Sequence, residues 1–212
     1  MSEPFVIDIV SDVVCPWCYL GKMQLEAALL RMPELEATIR WHPFQLDSTI
    51  PPDGLDRKAY MQKKFGDTGR LEAAHKRLES LGSENGIHFA FDAITRSPNT
   101  LDAHRLIRWA GELGLQDAMV QALFSAYFEE GRDIGDRPFL GLIAERIGME
   151  ADAVMERLAT DDDIASIQAE IAEANRIGVT GVPFFILAQK LAVSGAQHAD
   201  ALVDAIKQAM AD

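Results

Sequence analysis

Signals for extended chain occur only near the two ends of this 212-residue sequence, and that spacing constrains the fold more than any other feature. FVIDIV (5–10) is apolar and β-branched and reads as a buried strand. ATIRWHPF (37–44) alternates, with Ala37, Ile39 and Trp41 on one face, and reads as a second. Nothing comparable returns until VPFFIL (182–187) and LAVSG (191–195). Their short connection, Ala188-Gln189-Lys190, predicts a hairpin, although it lacks the glycine that a tight turn prefers. A single sheet must therefore be assembled from opposite ends of the chain.

Helical periodicity fills the rest. Residues 16–31 carry Leu20, Met23, Ala27 and Leu30 on one stripe and stop at Met32-Pro33, because proline disfavours helical geometry in the residue before it. This strand–helix–strand opening should cross over right-handed. DSTIPPDGLD (47–56), with two prolines and a glycine, marks a boundary. Beyond it a helix follows SPNT, with Asn99 as N-cap and Asp102 three residues on. Others span roughly 116–130 (Gly131 in the C′ place), 136–148, 150–159 and 161–178, and a last one covers 198–211. The predicted order is β-α-β, a helical block, then β-β-α: an α/β chain. Residues 1–55 and 166–212 form one discontinuous domain, and 56–165 an inserted helical one.

Hydrophobic residues make up 48% and charged residues 25%, ordinary for a soluble globular protein. No apolar run approaches the roughly 20 residues that a membrane helix needs. MSEPFVIDIV has neither a basic n-region nor a small-residue cleavage site, so a cytoplasmic protein is expected. The net charge of -13 argues against nucleic acid and anionic membranes as partners. The basic run DRKAYMQKK (56–64) reads as a solvated helix face.

The chain has two cysteines, Cys15 and Cys18, placed where the first strand meets the first helix. If that helix starts there, Cys15 is the N-cap, Pro16 is N1 and Cys18 is N3, and proline is at home at N1. Side chains three apart lie about 5–6 Å apart at Cβ, close to disulfide range. The Cys15 sulfur should accept the amides of Trp17 and Cys18 and sit at the positive end of the helix dipole. The dipole alone supplies about 0.3–1 kcal/mol, so a strong effect on the thiolate needs direct N–H···S bonds. Structural zinc wants four ligands, and here there is no second cysteine pair. His42, His75, His88, His104 and His198 are scattered without ligand spacing. No metal is expected, and the pair reads as a thiol–disulfide site, with Cys15 as nucleophile and Cys18 as resolving thiol.

SDVVCPWCYLGK (11–22), SPNTLDAHRL (97–106), YFEEGRDIGD (127–136), GVTGVPFFI (178–186) and VSGAQ (193–197) together resemble the DsbA-like branch of the thioredoxin superfamily. Within it the likeness is to FrnE-like cytosolic proteins, related to 2-hydroxychromene-2-carboxylate isomerases and kappa-class glutathione transferases. The resemblance implies a thioredoxin-like core with a large all-helical insertion that caps the active site and sets substrate choice. It implies Cys15 as exposed nucleophile, Cys18 as buried partner, and Pro183 as a cis-proline whose neighbour Val182 pairs with an extended substrate segment. Pro16 and Trp17 tune the pair. Trp17, Phe44 and Trp109 are candidates to line an apolar groove. Asn99 is either a helix cap or a substrate contact, since the isomerase and transferase relatives carry Asn-Thr near bound substrate. Ile9 stands where such folds often place a buried acid, leaving Asp8 and Asp12 as open alternatives for moving protons.

The leading expectation is a dithiol–disulfide oxidoreductase acting on a thiol- or disulfide-containing protein or small molecule through a mixed disulfide. It needs no cofactor beyond its own cysteines, with glutathione as a candidate co-substrate. The alternatives are a glutathione-dependent isomerase or transferase, whose members usually carry serine where Cys15 stands, and a catalytically silent binding module.

Overall fold

The computed structural model describes residues 4–66 and 68–211. The opening unit comprises β1 (Phe5–Ser11), α1 (Pro16–Leu30) and β2 (Ala37–Pro43), with the two strands parallel and Phe5 opposite Ala37. There follow β3 (Leu55–Asp56), α2 (Arg57–Phe65), α3 (Thr68–Glu84), β4 (Arg96–Ser97), α4 (Leu101–Glu112) and α5 (Gln116–Phe128). Next come α6 (Arg137–Arg146), α7 (Ala151–Leu158) and α8 (Ile164–Arg176). The chain closes with β5 (Phe184–Leu187), β6 (Leu191–Ser194) and α9 (Ala199–Ala211). The main sheet runs β2-β1-β5-β6, with β5 antiparallel to β1 and β6 antiparallel to β5. The two ends of the sequence therefore meet at the β1–β5 ladder, as the strand signals require.

One face of the sheet carries the main core. Ile7 and Ile9 of β1 and Phe185 and Leu187 of β5 pack with Tyr19 and Leu25 of α1, Phe124 of α5 and Leu202 and Ile206 of α9. Full burial of each such aliphatic or aromatic side chain contributes about 1.5–3 kcal/mol. The opposite face has a smaller cluster, Val10 and Phe44 with Ala174 of α8 and Val179. The outer edge of β2 is blunted by a side chain. Gln116 accepts from the Trp41 amide at 3.0 Å and donates to the Trp41 carbonyl at 3.2 Å, as a further strand would.

The structure corrects several expectations. Leu30 is 83% exposed; the buried side of α1 carries Cys18, Tyr19, Leu25 and Ala28 instead. Apolar residues lie all around this helix, so the spacing did not single out its inner face. The ladder β3–β4, two residues per strand, is too short for periodicity to reveal. The helix expected from 161 begins at Ile164, because Asp163 adopts left-handed backbone at φ 62°. The boundary placed at 166 consequently falls inside α8, which packs on both β2 and α4.

Candidate functional site

Cys15 occupies the N-cap of α1 with extended backbone, and Pro16 begins the helix. The Cys18 amide donates to the Cys15 carbonyl at 3.0 Å, which puts the second thiol one turn inside. Both cysteines are free thiols. The expected N–H···S caps are not formed: the Cys15 side chain makes no cap hydrogen bond. Its thiol turns across the sheet end and donates to the Val182 carbonyl at 3.6 Å, joining residues 167 positions apart. A thiol is a weak donor, and a backbone carbonyl offers it a better partner than a helix amide does.

The Val182–Pro183 peptide bond is cis, and the Pro183 carbonyl is fixed by the Gly195 amide at 2.8 Å. α1 presses against this segment through Gly21, where a Cβ would stand 2.8 Å from Pro183 Cγ. The two motifs GVPFFI and CPWCYLG thus form one assembly. Cys18 is fully buried. Burial pushes its thiol well up from the ordinary value, and the adjacent Cys15 adds to this; contacts from Ser11 and Asp12 oppose it in part.

In front of Cys15 lies a cavity of about 580 Å³, lined by Cys15, Pro16, Trp17 and Val182 together with side chains of α2 and α3. The basic run 56–64 is therefore more than a solvated face. Although α2 has no buried residue, its Arg57, Tyr60, Met61 and Lys64 all line the cavity. The signal was available in the sequence, since those four positions follow the spacing of one helix face. Arg70 and His75 of α3 join them. His75 stacks on Phe91 with ring centroids 4.1 Å apart, and burial, with the charge of Arg57 behind it, holds its pKa below the usual value. Burial likewise pushes the Tyr127 hydroxyl up to about 12, so this wall residue stays protonated.

Trp17 lines the cavity, as expected, with the Arg77 guanidinium of α3 over its ring at 5.8 Å. Phe44 and Trp109 do not join it. Phe44 belongs to the small core cluster, and the buried Trp109 indole donates to Asp163 at 2.9 Å. Asn99 is not the N-cap of α4; Thr100 is. The Asn99 side chain instead accepts from the Leu101 amide at 2.9 Å and donates to the Ile50 carbonyl at 2.6 Å, an Asx-turn brace behind the wall formed by Pro98 and Thr100.

The two aspartates separate cleanly. Asp8 accepts from Arg40 at 2.7 and 2.9 Å and contacts His42 at 2.7 Å. Burial raises its pKa, but those hydrogen bonds outweigh burial and hold the carboxyl low. Asp12 is 1% exposed and lines the cavity; one oxygen accepts from the Leu46 amide at 2.8 Å while Oδ1 has no hydrogen-bond partner. Other residues of the conserved-looking motifs are braces. Arg105 is wholly buried and donates to Asp102 and to the carbonyls of Arg157, Thr160 and Asp162. Among the described residues no group of three or more His, Cys, Asp or Glu is placed to hold a metal ion, and no helix is long and apolar enough to cross a membrane.

Residues 6–207 match the DSBA-like thioredoxin domain family. A probable DsbA oxidoreductase from Streptomyces coelicolor, SCO1869, superposes with a TM-score of 0.90 at 30% identity, covering 98% of this chain and 91% of that one. A 2-hydroxychromene-2-carboxylate isomerase gives 0.72 at 19% identity, covering 97% and 94%. The cytosolic disulfide reductase DsbM from Pseudomonas aeruginosa, solved with GSH, gives 0.66 at 19%, covering 97% and 96%. With a dithiol at a helix N-terminus facing a cis-proline, and a family match over nearly its whole length, this chain belongs to the DsbA-like thioredoxin family of thiol–disulfide oxidoreductases.

Proposed function

We propose that Cys15 attacks a substrate disulfide to form a mixed disulfide, which Cys18 resolves, closing Cys15–Cys18 and releasing the substrate as thiol. The observation that carries this reading is the asymmetry of the pair. Cys15 faces the cavity beside Val182, whereas Cys18 is shielded one turn deeper. The reverse cycle oxidises a dithiol, and direction follows the potential of the compartment, for which we propose the cytoplasm.

The cavity favours a small anionic disulfide such as glutathione disulfide. Three cationic side chains, Arg57, Lys64 and Arg70, face two carboxyl groups, Asp12 and Asp47. Over the whole chain the ratio is opposite, 20 basic to 33 acidic. The solved DsbM carrying GSH supports the same choice. The test is turnover of glutathione disulfide. Cys15→Ser is expected to abolish it, and Cys18→Ser to trap a stoichiometric mixed disulfide visible by mass spectrometry. Full turnover by Cys15→Ser would reject the mechanism.

A second reading, a glutathione-dependent isomerase or transferase of a small aromatic substrate, is supported by the likeness to the isomerase and by the Trp17, Phe91 and Tyr127 rings around the cavity. It predicts glutathione binding that leaves the cysteine pair reduced.

A further inference from the structure

The link between β1 and α1 is a partition between two cavities. Asp12, Val14 and Cys15 line the cavity in front of the dithiol. Ser11 and Val13 line a second groove of about 680 Å³, which runs along β2 under α4 and the start of α5, and no residue lines both. Extended backbone turns alternate side chains to opposite sides, and this short link uses the alternation to face two spaces at once.

Cys18 stands behind this partition with a difficulty. To attack the mixed disulfide its thiol must lose a proton, yet it has no exposed surface, and burial drives its pKa up. At that moment the substrate, joined to Cys15, occupies the front cavity. Three buried side-chain atoms among the described residues lack a hydrogen-bond partner: Ser11 Oγ, Asp12 Oδ1 and Ser97 Oγ. All three residues border one of the two spaces. Burying a hydroxyl unpaired costs about 1–3 kcal/mol, so such atoms call for a reason. Ser11 Oγ, without a hydrogen bond of full geometry, lies within reach of the Cys18 sulfur, whose thiolate it stabilises.

We propose that Ser11 is a positioning residue that passes the Cys18 proton to water in the groove along β2, so that resolution proceeds while substrate fills the front cavity. This rests on the dithiol mechanism above. The Cys18 S–H proton moves to Ser11 Oγ as the hydroxyl gives its own proton to water. The Cys18 thiolate attacks Cys15 Sγ, the Cys15–substrate S–S bond breaks, and the Cys15–Cys18 bond forms. The substrate sulfur leaves with the electron pair and takes a proton from water. The other ionisable groups nearby are Cys15, Asp12, His104 of α4 at 3.6 Å from Asp12, Arg57 and Tyr60 of α2, and Tyr127 of α5. His104 alone of these lines the groove, and its Nε2 is engaged by the Phe44 carbonyl at 2.8 Å.

An aromatic disulfide with a coloured leaving thiol, 5,5′-dithiobis(2-nitrobenzoate), separates the steps when mixed with the reduced protein. Attack by Cys15 releases the first thiolate and resolution by Cys18 the second. Ser11→Ala is expected to leave the first release within twofold, slow the second about tenfold near neutral pH, and move its pH midpoint upward. Ser11→Thr and Ser11→Val are equal in shape, so a folded Thr variant should resolve about tenfold faster than a folded Val variant. Equal slowing of both releases, a second release unaffected by losing the hydroxyl, or slowing by Asp12→Asn in place of Ser11→Ala would overturn the proposal. No release from the native protein would instead reject the dithiol mechanism itself.

Discussion

Trp17 carries no charge, yet the structure sets a cation on it. Arg77 reaches over from α3 to lie on the indole face, so the residue between the cysteines couples the dithiol to the helical block. Replacing it by histidine places an N–H donor or a cation beside Cys15 and removes the face that holds Arg77. Stabilising the reduced thiolate makes the disulfide more oxidising, and about 30 mV corresponds to 1.4 kcal/mol for a two-electron couple. Trp17→His is therefore expected to raise the reduction potential by tens of millivolts, of the order of one charge-assisted contact, in a glutathione equilibrium. An unchanged or lower potential would reject this. At this scale the sequence was legible wherever chemistry is local. Cys15, Pro16 and Cys18 take the helix-start positions that their types favour. It failed where a side chain's role depends on what lies across from it. Asn99 turned to Ile50, 49 residues away, and Cys15 to Val182, and no local pattern encodes either partner. Ser11 and Asp12 sat in plain view beside the motif, but only the two cavities give their side chains different meanings.

Among the elements, α1 decides how closely the dithiol approaches Pro183. Gly21 is fully helical, so a glycine there sacrifices about 1 kcal/mol of helix propensity relative to alanine. The return is proximity: an added Cβ would meet Pro183 Cγ at 2.8 Å and Phe185 Cζ at 3.3 Å. Overpacking of this kind costs about 1–3 kcal/mol, more than the propensity gained. Gly21→Ala is thus expected to lower the urea midpoint and, by tilting α1 away from Val182, to slow attack on a small disulfide. A more stable and fully active variant would show that the contact is slack. The hairpin β5–β6 shows how an element can be legible without its usual residues. Ala188 and Gln189 both take positive φ, 49° and 58°, and Lys190 N–H closes on Leu187 at 2.9 Å. The flanking strands dictate the turn, and the absent glycine only makes it costlier. Strands and long helices were readable because burial imposes a period on them. The ladder β3–β4 and the start of α8 were not, because two residues and one left-handed aspartate carry no period.

For the whole molecule, two electrostatic fields of opposite sign act on an incoming substrate. The net charge of -13 repels an anionic disulfide at long range, whereas Arg57, Lys64 and Arg70 attract it inside the cavity. Screening separates them. At about 0.01 M ionic strength the Debye length is roughly 30 Å, and the charge of the entire chain is felt; at about 0.15 M it is roughly 8 Å, and only the cavity's own side chains remain effective. Added salt should therefore first speed the reaction of glutathione disulfide, by removing the global repulsion, and then slow it as the local contacts are screened in turn. Cystamine, a cationic disulfide, should slow from the outset, because it loses the global attraction and never gains from the cavity. The rate constant for reduction of each by the dithiol form, measured from 0.01 to 1 M salt by the fluorescence of Trp17 beside the pair, is expected to give a maximum for the anion alone. Arg70→Ala with Lys64→Ala should remove the falling limb and leave the rising one. A rate for the anion that only rises in the native protein would show that the basic face of α2 and α3 contributes nothing to substrate choice. One that only falls would show that the local cations outweigh the net charge at every distance.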